Sequence, residues 1–100
     1  MTAIPITDFT MHDGSRHFLS LPESILSDAL VDEINAMSDM RVTAFLETIR
    51  ESWIDFEFRG SKFSINNQFG EYWIFSDDPQ CSTDILLLMR DRFAAILLPH

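Results

Sequence analysis

The sequence predicts an α+β two-layer sandwich: an antiparallel sheet of four or five strands with two helices on one face, in the order β-α-β-β-β-β-α. Three observations carry this. The stretch Trp53 to Arg59 alternates apolar and polar residues; Gly60 and Gly70 mark two chain reversals among aromatic-rich segments; and Ser82 to Leu98 repeats its apolar residues at helical spacing. The alternation is the decisive one. Ile54, Phe56 and Phe58 point to one side while Trp53, Asp55, Glu57 and Arg59 point to the other, the period of a half-buried strand. A sheet with helices on one side leaves its other face open to water or to a partner.

Residues 1–15 carry Pro5, Gly14 and scattered polar groups without sustained periodicity, which predicts an extended or partly mobile lead-in. Arg16 to Leu21 is expected as a short strand, with Phe18 and Leu21 on opposite faces. Pro22 suits the first turn of a helix, where its missing N–H is not needed, and Glu23 complements the positive end of the dipole. A helix is therefore expected from Pro22 to about Asn35 or Ser38, burying Ile25, Leu26, Ala29, Leu30, Ile34 and Met37.

Residues 41–52 read two ways. Val42, Phe45, Leu46 and Ile49 are spaced as a helix face, whereas Val42, Ala44, Leu46 and Thr48 form one face of a strand. With no Gly or Asn near Ser52 to stop a helix, and with β-branched residues frequent, the strand is preferred, closing in a turn at Arg50-Glu51-Ser52. After it, Gly60-Ser61 reads as a type II′ two-residue loop, which sets Phe58 opposite Phe63 and Phe56 opposite Ile65. Gln68-Phe69-Gly70 reads as a three-residue loop, setting Ile65 opposite Trp73 and Phe63 opposite Phe75, with both aromatics on the buried side. Asp77-Asp78-Pro79 punctuates the strand end. Ser82 is the expected N-cap of the last helix, Asp84 lies in its first turn, and Pro99 stops it. Ile85, Met89, Phe93 and Ile96, widened by Leu86 and Leu97, should cover the sheet. Leu87, Ala94 and Leu98 form a second stripe suited to self-association.

One domain spanning residues 1–100 suits a chain of this length, whose 46% hydrophobic content includes nine Phe and two Trp. Cys81 stands alone, so no internal disulfide is expected and a reducing, cytoplasmic location fits. The N-terminal residues lack the basic start and apolar run of a signal peptide or membrane span. A net charge of −9 repels phosphate backbones and anionic bilayers, so neither nucleic acid nor a membrane is expected as a partner.

The expected open face brings together Trp53, Asp55, Glu57, Ser64, Asn66, Tyr72 and Ile74, with Asp55 opposite Asn66 opposite Tyr72, and Glu57 opposite Ser64 opposite Ile74. Large exposed aromatics rimmed by carboxylates and amides are what protein-binding surfaces use. The plainer reading is a solvated face with Trp53 and Tyr72 partly covered by the N-terminal segment. Asp55 and Glu57 as i, i+2 neighbours could raise each other's pKa or hold a cation with Asn66, but paired carboxylates on an exposed strand usually serve solubility and edge protection. His12 and His17 with Asp8 and Asp13 have metal-ligating chemistry but not the spacing of a metal cage, and His12-Asp13-Gly14-Ser15 holds triad residue types that adjoin rather than converge. Cys81 precedes a helix, but Asp77, Asp78 and Asp84 disfavour a thiolate. His100 is read as a frayed terminus. No catalytic residue, cofactor or metal is expected.

The function expected is a non-enzymatic, small acidic protein-interaction module of adaptor, inhibitor or immunity, or chaperone type. It would self-associate as a homodimer through the last helix and bind a protein partner on the open sheet face. The alternative is a small-ligand or hydrolytic domain using the carboxylate, amide and Tyr cluster of Asp55, Glu57, Asn66 and Tyr72.

Overall fold

A computed structural model describes residues 6–78 and 80–98. Six strands and two helices follow in the order β1 (Phe9–Thr10), β2 (Arg16–Pro22), α1 (Ser27–Asn35), β3 (Met40–Glu47), β4 (Ser52–Phe58), β5 (Ser61–Gln68), β6 (Glu71–Ser76) and α2 (Thr83–Leu97). The strands form one antiparallel sheet in the order β1-β2-β6-β5-β4-β3. The β2-α1-β3 connection carries the chain across the sheet to its far edge. The meander β3 to β6 then brings it back, so that β6 closes against β2.

The class and the one-sided helix layer agree with the sequence expectation, but the sheet has six strands rather than four or five. The extra strand is β1, inside the segment expected to be a lead-in. Gly14, at φ 89°, sits in the turn that returns the chain, and Phe9 and Thr10 pair with His17 and Arg16. The expectations that rest on Pro5, Pro79, Pro99 and His100 lie outside the described residues.

Pro22 does not open a helix; it ends β2. Leu19 and Leu21 are buried opposite Ile74 and Tyr72, and this pairing holds the backbone extended as far as Pro22 opposite Glu71. Tertiary pairing thus overrides the local N-terminal signal. A bulge between His17 and Leu19 also lets Phe18 join Leu19 and Leu21 in the core, where opposite faces were expected for Phe18 and Leu21. Residues 40–47 are indeed a strand. The turn after it is closed by Thr48 N–H donating to Glu51 C=O at 2.8 Å, and Ser52 already belongs to β4.

Both later hairpins use two-residue loops with both residues at positive φ, the type I′ arrangement: Arg59 (50°) with Gly60 (86°), and Phe69 (52°) with Gly70 (80°). In the first, the loop starts one residue earlier than expected, so each partner moves by two and every side chain keeps its face. Phe56 now pairs with Phe63, and Ile54 with Ile65. In the second, the loop holds two residues instead of three, so each partner moves by one and β6 turns over. Tyr72 and Ile74 are therefore in the core, each 0% exposed, and Trp73 and Phe75 face the other way.

The core lies between that side of the sheet and the helices. Phe56 stacks on Phe63 at 5.2 Å between ring centroids, and Phe93 of α2 leans on Phe56 at 5.5 Å. The α2 stripe is Leu86, Met89, Phe93 and Leu97, with Ile85 and Ile96 only flanking it, so the helix is rolled by one position from the expected Ile85-to-Ile96 line. Ser82 caps α2 as expected, accepting from Ile85 N–H. The start of α1 is fastened without such a cap: Tyr72 O–H donates to the Ile25 carbonyl at 2.7 Å, and Ser27 Oγ donates to Ser52 Oγ at 2.6 Å. Burial pushes the Tyr72 phenol pKa up.

On the helix side, Arg92 donates to both oxygens of Asp39, at 2.5 and 2.9 Å, and Arg59 reaches the same carboxylate at 3.3 Å. This ties α2 and the β4–β5 turn to the α1–β3 connection. The hydrogen bonds from Arg92 hold the Asp39 carboxyl below the usual carboxylate range. The stabilisation this gives is present above the unfolded pKa of about 3.9 and is lost as pH falls through the lower folded value. Urea unfolding of wild type and Asp39→Asn should therefore differ most near neutral pH and converge as acid protonates Asp39. A gap that stays constant into strong acid would contradict this role.

Candidate functional site

Away from the helices, Trp53 and Asp55 of β4, Ser64 and Asn66 of β5, and Trp73 and Phe75 of β6 share one face. Trp53 pairs with Asn66 and Asn66 with Trp73, while Asp55 pairs with Ser64 and Ser64 with Phe75. The sequence expectation placed Trp53, Asp55, Glu57, Ser64 and Asn66 on this face, and the structure brings four of the five into one cluster. Glu57 leaves it, taken by Arg41 at 2.7 Å. Tyr72 and Ile74 are absent from the face for the register reason given above.

The cluster is built around Ser64, which is buried among acceptors. Its hydroxyl lies 3.0 Å from Asp55 Oδ1 and 3.2 Å from Asp77 Oδ1, and Trp53 Nε1–H donates to the same Asp55 oxygen at 2.9 Å. Beside it Asn66 is only 8% exposed, and its Oδ1 has no hydrogen-bond partner among the described residues. Buried polar atoms are nearly always paired in folded proteins, which makes this oxygen informative.

The β1–β2 turn lies over one side of the face and converts it into a cleft of about 320 Å³, with Met11, His12, Asp13 and Ser15 on one wall and Trp53, Ser64, Asn66, Phe75 and Asp77 on the others. The turn is locally braced: Met11 N–H donates to Ser15 C=O at 2.7 Å, and Ser15 donates to Asp13 Oδ1 through both its hydroxyl (2.7 Å) and its backbone N–H (3.0 Å). Those two bonds hold the Asp13 carboxyl below the usual range. A smaller hollow of about 170 Å³ adjoins it, lined by Leu46, Thr48, Glu51, Ser52 and Asn67 and sharing Trp53 and Asn66 with the cleft.

Next to the cleft, His17 stacks on Trp73 with ring centroids 4.7 Å apart and planes 16° apart, and Phe75 is 5.1 Å away on a tilt. Burial in this aromatic stack lowers the His17 pKa, against the raising effect of the Leu19 carbonyl beside Nε2. Trp73, Phe75, His17 and Asp77 were missed as site residues. The signal for the first two was the Phe69-Gly70 pair, but Phe is seldom found at positive φ, where Asn or Asp usually stands.

Outside the cluster, β3 is an edge strand of the sheet, paired with β4. It and the turn after it expose Phe45 (39%), Leu46 (67%) and Ile49, next to Trp53 (45%). No residue of α2 is among the exposed large apolar side chains; Leu87 and Ala94 are half-buried, and Leu98 packs partly against the core. A groove of about 650 Å³ also runs between the helices near Ile25, Met37 and Ile96; of the charged groups that line it, Glu33, Asp39 and Arg92, the last two are bonded to one another.

The His and Asp residues considered for a metal are separated in their roles: His17 is in the aromatic stack, Asp8 pairs with Arg16 at 3.1 Å and Asp13 bonds Ser15. Among the described residues no group of three His, Cys, Asp or Glu is placed to hold a metal ion. Cys81 is half-buried against the core. No helix among these residues is long and apolar enough to cross a membrane. No family model, curated protein or solved structure matches the chain.

Proposed function

We propose that the chain is a non-enzymatic protein-interaction module that docks a protein partner on its open sheet face and the adjoining β3 edge. The observation that carries this reading is the contiguity of half-exposed Trp53 with exposed Leu46 on one side and the polar cleft on the other. An indole anchored through its N–H and flanked by apolar and acceptor groups is the composition of an interface hot spot. The β3 edge is an element of the kind a partner strand can extend. The enzymatic alternative has less support, because Tyr72 lies in the core on the other side of the sheet from Asp55 and Asn66, and Arg41 is bonded to Glu57.

Capture of partners by wild type and by a Trp53→Ala, Leu46→Glu variant tests the face. Loss of a hot-spot residue costs at least about 2 kcal/mol, so specific capture should fall about 30-fold or more. Identical capture by both proteins would remove the proposal. Self-association through Leu87, Ala94 and Leu98 forms the second part of the reading, favoured by the half-exposure of Leu87 and Ala94 outside the core cluster. Light scattering should report a dimer for wild type and a folded monomer for Leu87→Glu. A wild-type monomer would remove that part alone.

A further inference from the structure

We infer that the cleft under the β1–β2 turn receives an arginine side chain presented by the protein partner. The inference rests on the docking reading and specifies what the partner must offer.

The cleft has an excess of acceptors. Asp77 and Asp13 line it together with His12, Asp55 stands behind Ser64 and shares the Ser64 hydroxyl with Asp77, and among the described residues no lysine or arginine lines the cavity. A chain of net charge −9 adds a long-range field of the same sign. These carboxylates alone would amount to an ordinary solvated acidic patch. Asn66 makes the difference: it lines the cleft, is more than nine-tenths buried, and its carboxamide oxygen has no donor among the described residues. A buried acceptor held without a donor is costly in the free protein and is satisfied by a ligand that brings N–H groups.

The shape of the donor follows from the walls. Trp53 and Phe75 give the cleft aromatic walls, and the acceptors are spread over β5, the segment after β6 and the β1–β2 turn instead of converging on one point. A guanidinium is planar, stacks on aromatic faces and carries five N–H donors in a fixed fork, so it can address separated acceptors at once. An ammonium is a compact, strongly hydrated charge and suits this spread less well. Asp55 Oδ1 already accepts from both Trp53 Nε1 and Ser64 Oγ. A guanidinium that engages Asp77 perturbs the Ser64 hydroxyl shared with Asp55, and through Asp55 the Trp53 indole N–H, a built-in reporter.

The probe is the peptide acetyl-Gly-Arg-Gly-amide, with its citrulline counterpart as the neutral isostere, titrated while ¹H–¹⁵N spectra follow the Trp53 indole and the Asn66 side-chain amide. The arginine peptide should shift both signals saturably, the citrulline peptide should leave them in place, and the lysine peptide should bind more weakly. Asp77→Asn, an exposed position, and Asp55→Asn should each raise the Kd about tenfold, the effect of removing one partner of a charge pair. Asn66→Leu should weaken the peptide while leaving the free fold at least as stable. Equal response to citrulline, no response at millimolar arginine peptide, or shifts confined to residues outside the cleft would overturn the inference. If the peptide fails while Trp53→Ala with Leu46→Glu still abolishes partner capture, docking stands and the arginine assignment falls. If the peptide binds but Asp55→Asn with Asp77→Asn leaves capture intact, the site takes a free cation and its assignment to a partner falls.

Discussion

Tyr72→Ala should destabilise the fold by about 3–5 kcal/mol, while Trp73→Ala, one residue along the same strand, should cost roughly half of that or less. Tyr72 is fully buried, and its hydroxyl is bonded to the Ile25 carbonyl and lies 3.3 Å from Ser27 Oγ. Truncation opens a cavity and strips the donor from a carbonyl at the start of α1. Trp73 is only partly buried on the opposite face, where it stacks on His17, and water can fill the space it leaves. Urea titration of the two variants gives the comparison directly. A greater loss at Trp73 than at Tyr72 would mean that β6 is turned over relative to the register described.

Phe56→Ala should also cost about 3–5 kcal/mol, against a total of about 5–15 kcal/mol for a domain of this kind. Its ring lies between Phe63 and Phe93 and so joins the sheet to α2; removing it severs both contacts and leaves a void that rigid strands cannot close. Phe45→Ala supplies the contrast. Phe45 is on the neighbouring strand but 39% exposed at the sheet edge, and its truncation should cost about 1 kcal/mol or less. Thermal unfolding should show Phe56→Ala melting far below Phe45→Ala. Equal losses would contradict the placement of the core under α2.

The faces of β4 were legible because alternation is a property of one strand and needs no partner to interpret. Hence Trp53 and Asp55 could be assigned to the open side, and Ser64 and Asn66 followed from a first hairpin whose register error was an even number of residues. The second hairpin differed by an odd number, which exchanged Tyr72 and Ile74 for Trp73 and Phe75. The cause is a backbone state, Phe69 at φ 52°, which residue preference disfavours and the pairing of the adjoining strands maintains. The strand at residues 40–47 was recovered from β propensity and the missing helix stop. The end of β2 at Pro22 was not, because the pairing with β6 that extends it joins residues some fifty positions apart.

The cleft was illegible for a related reason. Its outer wall comes from Met11 to Ser15, a segment with no periodicity of its own, positioned by the two-residue pairing of β1 with β2. Asp77 looked like strand punctuation, and its role depends on reaching Ser64 from beyond the end of β6. The unpaired oxygen of Asn66 is a property of assembled packing, and no spacing rule encodes it.

The two-faced sheet, with an aromatic interior and a separate binding surface, is tested most directly by a nuclear Overhauser spectrum of the Trp73 ring. Cross-peaks to the His17 ring are expected, with none to Met89. Cross-peaks from Trp73 to Ile65 and Met89, with Tyr72 and not Trp73 contacting the His17 side, would contradict the structure of the face and the docking proposal built on it.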